Sequence, residues 1–279
     1  MRWLPFVLCL QACTVVSMPA ASLPTLADDT IAVQVDPARG GAIVALAIGG
    51  VRTGLVDQGD QTGREIQASL YNGQWGPGCW PCNAVCVWGW NPVQAGNACE
   101  QPSGGSLVSQ SPTVLVTTTT PKQWNSTLGT ANVTLQQTLT LVARGVIKID
   151  YQVTNHEAFE IGADNWHELP LVALNASMTV GAYLSATGPT TTTTTLSVFT
   201  TAAPWVALSD VNGWTVLVYV PEHLTPWTIG FNASSTPNAW IQAWQWLQLA
   251  PGETGTDSAW LIVGRTLAEA QSRLQMLGA

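Results

Sequence analysis

The feature that most restricts this chain is a two-residue hydrophobic period that recurs along most of its length. It is clearest in VTLQQTLTLV, residues 133–142, and in VIKIDYQV, residues 146–153. Only a β-strand sends successive side chains to opposite faces, so each run reads as a strand with one apolar side. Arg144-Gly145 between them is a tight-turn signal, and the pair reads as a long hairpin. Shorter runs of the same kind occupy residues 30–35, 42–48, 64–71, 114–120, 204–208, 213–220, 228–231 and 257–263. Residues 239–249, AWIQAWQWLQL, also fit a strand, with Trp240, Gln242, Trp244 and Trp246 on one side; helical spacing gives no cleaner stripe. The Thr run at 190–195 reads as a β edge or loop, and residues 100–106 as a loop. One helix is expected, at 266–277, where Thr266 is an N-cap and Glu269 completes a capping box.

Strands never alternate with helices here, which excludes a layered parallel α/β fold. Roughly fourteen to eighteen short strands with one closing helix predict an all-β fold, a large antiparallel β-sandwich with a short C-terminal helix. No repeat or linker divides the chain, so residues 22–279 are read as a single domain.

Residues 1–21 have one basic residue, an apolar run from Trp3 to Val16, then small residues near Ala20. That is the pattern of a secretory signal peptide, and the run is too short for a comfortable membrane span. Its removal takes Cys9 and Cys13 and leaves Cys79, Cys82, Cys86 and Cys99. In an oxidising compartment these four read as disulfides with the pairing open, ahead of a zinc or redox site. Sequons at Asn125, Asn132, Asn175 and Asn232 add the expectation of an extracellular glycoprotein. Charge is scarce and acidic, with 9 Lys and Arg against 17 Asp and Glu. Such a surface does not suit nucleic acid or an anionic membrane, and it fits neutral partners such as glycans, or self-association.

Residues 54–97 carry the densest chemistry. They hold Arg64, Glu65, Gln67, Tyr71, Trp88, Trp90, Asn91 and Gln94 among Gly, Pro and Cys. Indoles stack on the apolar faces of sugar rings while Arg, Gln and Asn bond hydroxyls, so this segment is expected to bind carbohydrate, helped by Trp244. If 64–71 is a strand, Glu65, Gln67, Ser69 and Tyr71 share a face opposite Ile66, Ala68 and Leu70. Among three histidines, His167 is the natural acid–base group, with Glu168, Glu65 and Glu222 as carboxylate candidates. His167 and Glu168 are neighbours, so a regular strand sends them to opposite faces. Glu65 and Glu168 can instead pair across strands, either as an acid and a base or as a mere polar edge. No metal frame, phosphate loop or dinucleotide fingerprint occurs, so no metal or cofactor is expected.

Several segments, in order, resemble the galactose-mutarotase-like supersandwich superfamily. They are Gly40-Gly41-Ala42-Ile43, residues 63–71, Trp90-Asn91-Pro92-Val93-Gln94, His167-Glu168-Leu169-Pro170 and Pro251-Gly252-Glu253-Thr254. That superfamily includes aldose epimerases and domains of polysaccharide lyases and glycoside hydrolases. The resemblance implies a sugar site on the larger sheet, with Arg64 in the place of a substrate-binding arginine and His167 in that of a central-strand histidine. The late catalytic glutamate of the epimerases has no clear counterpart; Glu222 and Glu253 are the candidates, and Glu253 reads as part of a structural turn. The expected function is a secreted carbohydrate-active protein, an enzyme cleaving or epimerising an oligo- or polysaccharide, or else a non-catalytic glycan-binding or structural glycoprotein.

Overall fold

The computed structural model describes residues 22–56, 65–72, 90–125, 128–162, 167–184, 190–195, 197–199, 204–221, 227–232 and 238–278. Among them the chain forms nineteen strands and one α-helix. The first eight strands are β1 (Thr25–Ala27), β2 (Ile31–Asp36), β3 (Ala42–Ile48), β4 (Ile66–Ser69), β5 (Pro92–Val93), β6 (Gly105–Gln110), β7 (Val114–Thr119) and β8 (Lys122–Gln123). Then come β9 (Val133–Ala143), β10 (Val146–Asn155), β11 (His167–Asn175), β12 (Met178–Leu184), β13 (Thr190–Thr193) and β14 (Ser197–Phe199). The last are β15 (Trp205–Asp210), β16 (Thr215–Tyr219), β17 (Trp227–Asn232), β18 (Asn238–Gln245) and β19 (Thr254–Gly264), followed by helix α1 (Leu267–Met276).

Two antiparallel sheets result. The first has ten strands in the order β1-β2-β3-β4-β11-β18-β17-β14, with β5 joined to β4 and β8 joined to β5. The second has nine, β13-β12-β15-β16-β19-β10-β9-β7-β6. The hairpin read from the alternation is β9–β10, in register from Asn155↔Val133 to Ile147↔Leu141. Its turn uses Gly145 at φ +72°, a left-handed conformation that costs glycine little.

The core lies between the sheets because each strand sends alternate residues inward. Val133, Leu135 and Leu139 from β9 meet Ile149, Tyr151 and Val153 from β10 and Ala239, Ile241 and Ala243 from β18 in one buried cluster. Each fully buried Val, Leu or Ile of this set stabilises by about 1.5–3 kcal/mol. One inward position is an amide. Gln137 donates to the Gly41 carbonyl at 2.8 Å and accepts from Gln94 at 3.1 Å, so its burial leaves no polar atom unmet.

Helix α1 packs Ala270 and Leu274 on the outer side of the second sheet, against Val146, Ala207, Leu217 and Ile262. Thr266 caps it by accepting from the Glu269 amide at 3.2 Å. The return bond differs from the capping box expected: the Glu269 carboxylate accepts from Arg265, one residue earlier, at 2.8 Å. Residues 100–106 are not wholly loop either, since β6 begins at Gly105. All six of its residues are exposed at the sheet edge, so no buried alternation marked it. Of the four cysteines expected in disulfides, with the pairing open, only Cys99 lies among the described residues. No disulfide joins two described residues; Cys99 is disulfide-bonded, and Cys79, Cys82 and Cys86 lie outside the described residues. So does the leader, residues 1–21.

Candidate functional site

Strands β4, β11, β18 and β17 lie side by side at the centre of the first sheet. Their inward residues build the core, and their outward residues gather the candidate chemistry. On β4 the alternation holds as expected: Ile66, Ala68 and Leu70 join the core cluster. Glu65, Gln67, Ser69 and Tyr71 take the other side.

Glu168 is the centre of this face. It pairs with Ser69 on one side and Trp244 on the other, and is 2% exposed. Gln242 donates to its Oε1 at 2.5 Å, and the hydroxyls of Tyr71 and Ser69 also bond it. Burial pushes the Glu168 carboxyl up to about 7, although those three hydrogen bonds favour the carboxylate. Tyr71 is itself raised, first by burial and then by the nearby Glu168 charge. Its ring leans on Trp244, centroids 5.8 Å apart, and the Trp244 indole donates to Thr228 Oγ1 at 2.9 Å. A carboxyl that gains and loses a proton near neutrality thus sits beside an indole and a phenol.

His167 is on the opposite side of the strand, as neighbours in a strand must be. Its Nδ1 accepts from the Tyr71 backbone N–H at 3.0 Å, and its Nε2 donates to the Leu247 carbonyl at 2.7 Å. The ring is fully buried, and burial lowers it to about 4, so it is neutral at physiological pH. With both nitrogens spent on backbone, His167 clamps β11 to its surroundings and has no nitrogen left for a substrate. That corrects its expected role as acid or base.

The Glu65–Glu168 pair is corrected as well. Glu168 stands opposite Ser69, four residues along β4 from Glu65, a separation of about 13 Å at ~3.3 Å per residue. Glu65 instead forms an ion pair with Arg39, at the end of the Pro37–Arg39 turn. Arg39 was not singled out in the sequence, because nothing in the spacing of residues 39 and 65 marks them as neighbours. Arg52, the other early arginine, is committed to Asp210 at 3.2 Å and to Ser177.

Two expected sugar contacts prove to be struts. Gln94 accepts from the Ala68 N–H at 2.8 Å and donates to Gly40 and Gln137, at zero exposure. Asn91 donates to the Leu70 carbonyl at 2.8 Å and lies 3.4 Å from Ser69 Oγ, which places it behind the Glu168 cluster. Gln67 accepts from Ala95 at 2.9 Å, while its Nε2 is buried without a partner. Trp90 donates to Glu157 at 2.9 Å and meets Phe159 edge-on, centroids 6.1 Å apart. Arg64, Trp88 and Glu222 lie outside the described residues. Asn125 is 7% exposed, against the outward orientation expected of a sequon, whereas Asn132 is exposed and Asn175 half-buried. The Asn232 side chain lies outside the described residues. Among the described residues no group of three His, Cys, Asp or Glu could hold a metal ion, and no helix is long and apolar enough to cross a membrane.

No protein-family model matches the sequence, and no characterised protein matches it. Solved structures do. A galactose mutarotase-like protein from Lactobacillus casei is 12% identical with a TM-score of 0.59, covering 87% of this chain and 100% of that one. The GalM/aldose epimerase homologue from C. elegans is 7% identical at TM-score 0.52, covering 88% and 99%. A galactose mutarotase related enzyme from Lactobacillus acidophilus is 9% identical at TM-score 0.51, covering 87% and 98%. The chain therefore has the galactose-mutarotase-like fold over nearly its whole described length.

Proposed function

We propose that this protein is secreted and acts on carbohydrate at the outer face of the first sheet, with Glu168 as its proton-transfer group. The observation that carries the proposal is a carboxyl raised to about 7 and hydrogen-bonded by Tyr71 and Gln242, next to the half-buried indole of Trp244. Near neutrality such a group serves as a general acid toward a departing sugar oxygen or as a base toward a hydroxyl or ring proton. Tyr71 holds the carboxyl in place. Trp244 supplies the flat apolar surface on which a pyranose ring stacks. The fold shared with aldose-epimerase-related structures agrees with this reading.

The test is a panel of monosaccharides and polysaccharides assayed for anomer interconversion, reducing-end release and unsaturated product. One signal is expected, falling by about 10²–10⁴-fold in Glu168→Gln, the usual contribution of a general acid or base. A second reading, non-catalytic glycan binding, is favoured by the commitment of His167 to backbone and of Glu65 to Arg39. Binding on a glycan array with no signal in any activity assay would establish that reading. Silence in both would remove carbohydrate altogether.

A further inference from the structure

Gly230 and Trp240 face each other across β17 and β18. A β-carbon on Gly230 would fall 1.9 Å from both Cε2 and Cζ2 of the Trp240 indole, and 2.5 Å from Cη2. The six-membered ring therefore lies over the glycine α-carbon, in the space that any other residue would fill with its own side chain. Core packing does not explain this placement. The buried residues of β18 are Ala239, Ile241, Ala243 and Gln245, while Trp240, Gln242 and Trp244 are half-buried on the outer side. A half-buried indole laid on bare sheet backbone, on the outer side of the sheet, is a platform.

Trp244 stands on the same face, four residues on, about 13 Å away at ~3.3 Å per residue. Gln242 lies between the two indoles and holds the Glu168 carboxyl. A single pyranose, itself no wider than an indole, touches only one of these platforms.

We infer that the site takes a linear chain of sugars laid along β18, with one sugar on Trp244 beside Glu168 and a more distant one on Trp240. This rests on the carbohydrate reading above and deepens it. The ligand is an oligosaccharide or polysaccharide, and Gly230 sets chain-length specificity because its missing side chain lets Trp240 lie flat. The chain direction follows the strand, so sugars occupy positions beyond the carboxyl and not only at it.

Calorimetric titration with glucose, xylose and mannose, and with cello-, laminari-, xylo- and manno-hexaose, tests the inference. At least one hexaose is expected to bind about tenfold or more tighter than its monosaccharide. Trp240→Ala and Gly230→Ala should each weaken that hexaose by about five- to tenfold, the loss expected for one aromatic contact, and leave monosaccharide binding near that of the wild type. Trp240→Phe keeps a smaller platform and should fall between. If a monosaccharide binds as tightly as its hexaose, or if the Trp240 and Gly230 variants bind the hexaose like wild type, the chain inference is overturned while the proposed function stands. If no saccharide of the panel binds the wild-type protein, both are lost.

Discussion

Replacing Glu168 with Gln should change how the stability of this protein depends on pH, and the size of the change follows from two buried neighbours of opposite sign. The folded Glu168 titrates at about 7 against 4.5 in the open chain. Between those values the folded state binds more protons than the unfolded one, so stability falls as pH rises across the window. His167 works the other way, since burial lowers it from 6.5 to about 4. Its unfolded state binds the extra proton, so stability rises with pH between those values. Integrated from pH 5 to pH 8, Glu168 removes about 2–3 kcal/mol and His167 returns about 2 kcal/mol, so the two nearly cancel in the wild type. Gln fits the same space and can accept from Gln242, but it does not titrate. Between pH 5 and pH 8 Glu168→Gln should therefore gain about 2–3 kcal/mol relative to the wild type. Urea unfolding at a series of pH values measures both, and every other ionisable group cancels in the difference. Parallel pH profiles for the two proteins would refute the reasoning, because they would mean that Glu168 titrates alike folded and unfolded.

His167→Ala should cost about 3 kcal/mol or more in urea unfolding, because it leaves the Tyr71 N–H and the Leu247 carbonyl without partners in the core. A variant of unchanged stability and abolished activity would instead restore His167 to catalysis. Thr266→Ala removes the cap of α1 and should cost about 1 kcal/mol, read from the same unfolding assay, and no loss would mean that the Glu269 bond to Arg265 holds the helix end alone. Expression in a eukaryotic secretory host should yield a chain beginning near residue 22 and glycosylated at exposed Asn132 rather than at buried Asn125, both read by peptide mass spectrometry. A retained leader or a glycan on Asn125 would contradict that expectation.

Most of the scaffold was legible because a sheet with one buried face writes its period into the sequence. The β9–β10 hairpin, β3, β18 and the capped helix stand where alternation and turn residues put them. Edge strand β6 escaped because none of its side chains is buried, and burial is what produces the period. The site was legible in part. Alternation alone separates Glu168 from His167, and it places Gln67, Ser69 and Tyr71 together. It says nothing of long-range pairing, so Arg39 as the partner of Glu65 was invisible. Nor does residue type show whether an amide meets ligand or backbone. Gln94 looked like a sugar contact and is a strut between Ala68, Gly40 and Gln137. One overlooked signal was present: Gln137 breaks an inward apolar row, and a polar residue in such a row must find a buried partner.

Retention on immobilised polysaccharides is the most direct trial of a sugar-binding face on the first sheet. Wild-type protein, Trp244→Ala and Trp260→Ala would be compared on the same panel, the last as a control from β19 of the second sheet. The expected result is at least one polysaccharide that retains the wild type and Trp260→Ala but releases Trp244→Ala. Equal retention of all three proteins, or none of the wild type, would contradict it.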